Sequence, residues 1–343
     1  MGVAHHPPRV VEEHLDPEAH HRLNAALQEP GLIPAVAQAL LAQDEQRAIP
    51  AIAKDAALMA EIGRRVRALP TAHALLLGDS RHLEAVPDAS VQLVLTSPPY
   101  WTLKQYAGSA GQLGDIAEYE EFLIELDRVW RAVFRVLAPG GRLIVVVGDV
   151  CVSRRKYGRH LVFPLHASIQ EHCRALGFDN LAPIIWYKIA NAALEAAGNG
   201  TSFLGKPYEP GGVIKNDIEY ILMQRKGGAY RKPTLPMRVL SILPEDDHRR
   251  FFQQIWDLPG ASTRHHPAPF PLELAERLIR MFSFVGDTVL DPFLGTGTTS
   301  LAAARWGRNS IGIEIEPIYH QYALNRLRQP RDQQLPLQAL AGQ

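Results

Sequence analysis

Residues 289–300 read Val-Leu-Asp-Pro-Phe-Leu-Gly-Thr-Gly-Thr-Thr-Ser: a short apolar strand, a turn with two glycines, and the start of a helix. Gly295 and Gly297 let the backbone bend sharply and approach a ligand closely, and the helix that follows offers free N–H groups at its first turn. A P-loop needs a lysine in such a turn, and none is present. A dinucleotide fingerprint wants a third glycine where Ser300 stands, and no second nucleotide half follows. Two readings remain: a nucleoside-sulfonium site, or a tight strand–helix turn without a ligand. In the first, Asp291 meets a cationic amino group and Glu314, ending the next strand, accepts from ribose hydroxyls.

Outward from this turn, strands and helices alternate. Helices are expected over 271–284, 298–306 and 317–328, with strands at 288–290 and 310–314. Upstream, 74–77, 91–96 and 142–148 are apolar runs suited to buried parallel strands, and 118–137 carries the stripe of an amphipathic helix. A helix over 161–176 and strands at 183–188 and 218–224 complete the pattern. The fold class is α/β, a doubly wound and mainly parallel sheet. Residues 1–70 form a helical extension, with breaks expected at Pro30-Gly31 and Pro50. The core domain takes 71–188, 216–228 and 263–328; 189–215 is a loop, 229–262 an irregular insert outside the sheet, and 329–343 a frayed tail.

The chain has 343 residues, 46% apolar and 21% charged, which excludes wholesale disorder. Lys+Arg and Asp+Glu both number 36, which argues against a protein that coats polyanions generally but leaves room for local basic patches. The two cysteines exclude a disulfide framework and suit a reducing cytoplasm. No secretory signal or membrane span is expected. His160, His166 and His172 are spaced by six, which does not align them on one helix face, so no metal site is expected.

A second motif follows the strand at 91–96: Ser97-Pro98-Pro99-Tyr100. Two prolines hold their carbonyls rigidly, Ser97 adds a hydroxyl and Tyr100 an aromatic face. This set can grip a planar group bearing an exocyclic amine.

Together the two motifs resemble the S-adenosylmethionine-dependent DNA amino-methyltransferases, in the permuted class whose catalytic motif precedes the glycine motif. The resemblance spans about 74–328. It implies a seven-stranded methyltransferase sheet, S-adenosyl-L-methionine as cofactor, S-adenosyl-L-homocysteine as product, and no metal. It implies catalytic roles for Ser97, Pro98, Pro99 and Tyr100. Cofactor-binding roles fall to Asp79, His266, Pro267 and Phe270, and to Asp291, Pro292, Phe293, Gly295, Thr296, Gly297, Thr298, Thr299 and Glu314.

By the same analogy 189–215 and 229–262 recognise the target. Arg154, Arg155, Lys156, Arg225, Lys226, Arg231, Lys232 and Arg238 are the candidate contacts to double-stranded DNA. The target base is flipped out, with Trp101 or Trp186 as supporting walls for a base stacked on Tyr100. Ser97 and the Pro98 carbonyl orient the amine for direct displacement. Neither Cys151 nor Cys173 follows a proline, as the nucleophile of ring-carbon methylation does in this family. Ser at the first motif position favours N4 of cytosine; N6 of adenine is the alternative, and a non-catalytic DNA-binding subunit of the same fold is a third reading. A cognate restriction endonuclease is an expected companion, and monomer and homodimer both stay open.

Overall fold

The computed structural model describes residues 18–102, 111–152, 157–188, 216–261 and 270–329, with the backbone of 11–15 and 103. Five parallel strands form the centre: β2 (His73–Leu77), β3 (Val91–Thr96), β4 (Leu137–Val147), β10 (Thr288–Asp291) and β11 (Asn309–Glu314). They are joined by β1 (Val11–Leu15), β7 (Phe178–Tyr187), β8 (Ile218–Lys226) and β9 (Ile255–Asp257) in the order β1-β2-β11-β10-β3-β4-β8-β7-β9. Only β1 and β8 run against the rest. A separate hairpin pairs β5 (Val150–Val152) with β6 (Leu161–Phe163).

The central strands are buried on both faces because helices cover both. On one face, α5 (Tyr119–Val136) and α6 (Leu165–Ala175) pack Phe122, Leu126, Trp130, Val133 and Ile169 onto Val94, Leu143, Val145 and Val147. On the other, α9 (Leu272–Phe282) and α10 (Thr298–Arg305) pack Leu274, Leu278, Leu301 and Ala302 onto Leu93, Leu95, Ile144 and Val289. A last helix, α11 (Pro317–Arg328), lies beside β2 and the glycine turn.

Several expectations are corrected. Among the described residues the sheet has nine strands, not seven, because short strands extend both edges. One of them, β9, belongs to the insert expected to lie outside the sheet; it pairs with β7 through Ile185↔Ile255 and Trp186↔Trp256. The same insert contains α7 (Leu235–Leu240) and α8 (Glu245–Phe251). The described part of the N-terminal extension holds β1, then α1 (Ala19–Ala26), α2 (Ala35–Gln43), α3 (Glu45–Lys54) and α4 (Ala56–Ala68). Its Leu23, Ile52 and Ile62 share one apolar cluster with Val239 and Leu240 of α7 and with Val285, so extension, insert and core are packed together.

Pro50 does not break the chain; it lies inside α3. The expected break at Pro30-Gly31 does separate α1 from α2; the breaks on either side of α3 fall at Asp44, whose carboxylate accepts from the N–H groups of Gln46 and Arg47, and at Asp55, which accepts from Leu58. Side-chain caps fix these boundaries because they satisfy helix-start donors that otherwise have no partner. The expected 161–176 helix is shorter, since 161–163 pairs into the β5–β6 hairpin.

Candidate active site

The C-terminal ends of β2, β11, β10 and β3 lie side by side, and each carries a motif residue: Asp79 just past β2, Glu314 ending β11, Asp291 ending β10, and Ser97 just past β3. This is the sheet edge where α/β folds bind ligands. Ser97, Pro99, Asp79, Pro292, Phe293, Gly295 and Glu314 line one cleft. Two stretches far apart in sequence are thus one site.

Glu314 is anchored by backbone. Its Oε2 accepts from Gly295 N at 2.7 Å and its Oε1 from Glu316 N at 2.9 Å. Burial pushes its carboxyl up to about 7, against those two hydrogen bonds; the neighbouring Asp291 and Glu316 add to the upward push. Each carboxylate oxygen keeps a lone pair for a hydroxyl. Gly295 and Gly297 both have left-handed backbone, with φ of 53° and 79°. At Gly297 a Cβ would stand 2.9 Å from the Ala323 Cβ on α11. Gly297→Ala should therefore lose about 1–2 kcal/mol from the left-handed backbone alone, and more from the clash. Urea unfolding of the two proteins measures it, and a loss under 0.5 kcal/mol (roughly the spread of neutral surface changes) would mean that neither the left-handed backbone nor the contact with α11 constrains this position.

Asp291 does not line the cleft as expected of a group meeting a ligand amine. It is 1% exposed, and both oxygens are engaged: Oδ1 by Thr96 Oγ1 at 2.7 Å and Phe293 N at 3.0 Å, Oδ2 by Thr299 Oγ1 at 2.7 Å. Burial raises its carboxyl to about 6, partly offset by these bonds. The carboxylate ties β3, β10 and the first turn of α10 together. Thr296 and Thr298 are likewise buried; the Thr296 carbonyl accepts from Arg326 at 2.8 Å.

Tyr100 does not present the expected ring face. It is 6% exposed and belongs to the cluster under α5; its hydroxyl accepts from Ser97 Oγ at 3.4 Å. It holds the turn from beneath. Trp101 and Trp186 are not open walls either. Trp101, at φ 47°, donates to the Ile116 carbonyl at 2.9 Å and packs edge-on against Tyr119 and Phe163. Trp186 is buried on the opposite face, donating to the Leu258 carbonyl at 2.8 Å. Indole N–H groups this deep need a partner, and each has found one in the backbone.

Composition and spacing gave no sign of three further features. Arg81 bridges Asp79 and Glu125, fixing the Asp79 carboxylate that lines the cleft. The Gln112 amide donates to Glu316 across it. Beyond β4, Asp149 accepts from His166 Nδ1 at 2.6 Å, and the imidazole stacks on Tyr220 at 3.8 Å. His172 is taken up by Asp127 in the same manner. Among the described residues no group of three or more His, Cys, Asp or Glu is placed to hold a metal, and no helix is long and apolar enough to cross a membrane.

The expected DNA face is redistributed. Arg225 sits opposite Arg142 at the other end of the sheet, about 13 Å along the strands from Ser97 at roughly 3.3 Å per residue. It pairs with Asp179 at 2.7 Å. Lys226 donates to the carbonyls of Phe134 and Leu137 at 2.6 and 2.7 Å, Arg231 pairs with the buried Asp287, and Arg238 pairs with Glu45. These cations close the fold at the edge away from Ser97, and Lys232 is exposed beside Arg231. Arg154, Arg155, Lys156, His266, Pro267 and the 189–215 loop lie outside the described residues. Phe270 is buried against α9.

A DNA methylase family model of N6- and N4-methylating enzymes matches residues 91–325. Among curated proteins, the Type II methyltransferase M.MjaI of Methanocaldococcus jannaschii is 37% identical over 276 residues, covering 72% of this chain and 88% of its own. M.MthZI of Methanothermobacter thermautotrophicus is 34% identical, covering 76% and 78%. Among solved structures, a putative DNA modification methylase of Thermus thermophilus, TTHA0409, complexed with S-adenosyl-L-methionine, is 60% identical with a TM-score of 0.61, covering 74% and 91%. The PvuII cytosine-N4-specific DNA methyltransferase, 21% identical with a TM-score of 0.55 over 76% and 89%, shares the fold.

Proposed function

This chain belongs to the N6/N4 DNA methylase family, and on that premise we propose that it methylates the exocyclic N4 amine of a cytosine flipped from duplex DNA, using S-adenosyl-L-methionine. The observation that carries this reading is the single cleft in which Ser97 and Pro99 meet Asp79, Gly295 and Glu314.

The cleft fits the cofactor by its donor set. Asp79, Glu314 and Glu316 supply acceptors for amine and hydroxyl protons and a negative field suited to a sulfonium, while Phe293, Ile313 and Ile315 offer apolar surface to a purine. When bound, the cofactor supplies an electrophilic methyl group. The chain's own residues do the rest. Ser97 Oγ and the Pro98 carbonyl accept from the two amine protons, turning the nitrogen lone pair out of conjugation and toward the methyl donor. The prolines fix those acceptors in advance, and Tyr100 holds the Ser97 hydroxyl from below. Spending a few kcal/mol on unstacking admits the base to this edge.

Ser97, rather than the stronger acceptor Asp, favours cytosine N4 over adenine N6. The Type II naming of the curated relatives supports a restriction–modification setting with a partner endonuclease. Mass spectrometry of nucleosides from unmethylated DNA, after incubation with protein and cofactor, tests the reading. N4-methylcytosine is expected. N6-methyladenine would overturn the target base, and neither product, with cofactor binding intact, would overturn the DNA substrate.

The Glu314 carboxyl sets a pH dependence for the cofactor. Ribose hydroxyls favour the ionised carboxylate, whose protonation in the free protein has its midpoint near 7. Affinity for S-adenosyl-L-homocysteine should thus fall about tenfold per pH unit below that midpoint and level off above it, since one proton must leave per ligand bound. Calorimetric titrations from pH 5.5 to 8.5 read this slope; a flat profile would mean that Glu314 does not accept from the ligand.

A further inference from the structure

The N-terminal ends of the central strands carry a second and larger feature. A cavity of about 790 Å³ opens there, walled by α3 of the extension, the Tyr230–Arg249 part of the insert, the turn before the last half of β4, and the end of α9. It lies at the sheet edge opposite Ser97, and the four parts of the chain that wall it contribute no residue to the cleft beside Ser97.

Its electrostatics are unbalanced. Five lining cations face two lining carboxylates, and those are already engaged: Glu245 by Arg249 and Asp287 by Arg231. Arg280 is paired with Asp247 at 2.8 Å. That leaves Arg142 and Lys54, which pair with no carboxylate among the described residues. Arg142 is half-buried, with its guanidinium 4.7 Å above the centre of the Phe282 ring. Burial lowers its pKa and Arg225 nearby lowers it further, against an upward pull from Tyr230. A cation drawn part-way out of water without an anion costs stability, and it is fixed in orientation by the ring beneath it. Beside it Tyr230, a residue 61% exposed, stands at the rim, its hydroxyl accepting from Arg225 at 2.7 Å with that guanidinium 5.9 Å from the ring centre.

We propose that this cavity binds a nucleotide, with Arg142 and Lys54 on its phosphate and the Tyr230 ring stacked on its base. The guanidinium fork suits phosphate oxygens in a bidentate contact, and a tyrosine ring stacks on any base. The volume holds a ligand of this size within the range usual for small-molecule sites. The same chemistry is offered by a free nucleotide and by the end of a single-stranded nucleic acid.

The test uses the full chain with S-adenosyl-L-homocysteine at saturation, so that the cofactor cleft is not available to an adenine ring, and follows the fluorescence of trinitrophenyl-ATP. Saturable binding is expected, weakened at least tenfold by Arg142→Gln at an unchanged unfolding midpoint and severalfold by Lys54→Ala, a change on an exposed side chain. Ser97→Ala should leave it unchanged. Displacement by ATP assigns the site to a free nucleotide; displacement only by a 5′-phosphorylated oligonucleotide assigns it to a nucleic-acid end. No binding up to millimolar probe, binding abolished by S-adenosyl-L-homocysteine, or binding indifferent to both substitutions would overturn the proposal.

Discussion

Ser97→Ala is expected to lower the rate of methyl transfer in a single turnover by about 100- to 1000-fold, which corresponds to roughly 3–4 kcal/mol of lost transition-state stabilisation. The hydroxyl stands at the end of β3 on a turn whose next two residues are prolines, so its direction is set before the substrate arrives. In the ground state the amine nitrogen is conjugated and its protons are acidic enough to be held by either acceptor. As the lone pair is donated to the methyl carbon, the nitrogen gains positive charge and its protons grow more positive, and an acceptor fixed in place gains most at that moment. Removing Oγ leaves the Pro98 carbonyl alone. The affinities for cofactor and DNA should change by less than a few-fold, because the hydroxyl contributes to one interaction that matures only in the transition state. Rapid-quench measurement with labelled cofactor separates these terms. A loss smaller than tenfold would remove Ser97 from the role of amine acceptor.

The second large effect is on stability. Asp291→Ala should destabilise the protein by about 3 kcal/mol, because it orphans Thr96 Oγ1 and Phe293 N and leaves Thr299 Oγ1 only the Leu95 carbonyl at 3.3 Å. Asp291→Asn should recover part of this, since its amide oxygen still accepts from Phe293 and its NH2 can donate to a rotated threonine hydroxyl. The pH dependence has a definite sign. The folded carboxyl titrates near 6, above its ordinary 3.8, so between those values the folded state binds more protons than the unfolded state and stability falls as pH rises. The gap between the native chain and Asp291→Ala should therefore be wider at pH 4 than at pH 7. Denaturant melts at the two values decide this, and a gap that widens with pH would mean that the carboxylate is stabilised by a charge rather than tolerated for its hydrogen bonds.

Both residues stand out in the sequence, but Asp291 for a different task. Its position before the glycines is legible; its partners, 195 and 8 residues away, are not. The same distinction runs through the molecule. The strands at 91–96 and 310–314 and the helix at 119–136 are long apolar or strongly periodic runs that burial reads directly. The edge strand β9 escapes because it has three residues, and its Ile255 is 70% exposed, so no alternation marks it. Arg225, Lys226, Arg231 and Arg238 look like a nucleic-acid face because charge in sequence is visible while its pairing is not. Their partners Asp179, Phe134, Asp287 and Glu45 come from 46 or more residues away, on elements brought close only by the sheet order. Tyr100 and Trp101 are given to the substrate for a related reason: aromatic residues serve cores and ligands alike, and the sequence does not show which way the turn faces.

The sheet order has a bearing on how the chain reaches this form during synthesis. Strands β2 and β3 are neighbours in sequence, yet two places lie between them, and those are filled by β11 and β10, residues 288–314, far along the chain. A nascent chain that has grown only past residue 260 therefore holds two separate partial sheets with facing unpaired edges, one built on β2 and one on β3. Such edges invite pairing with other chains, and contacts of this sequence separation form slowly. The order makes a late-emerging segment the keystone of the protein's centre: until it arrives, there is neither a continuous sheet nor a floor to the cleft between Asp79 and Ser97.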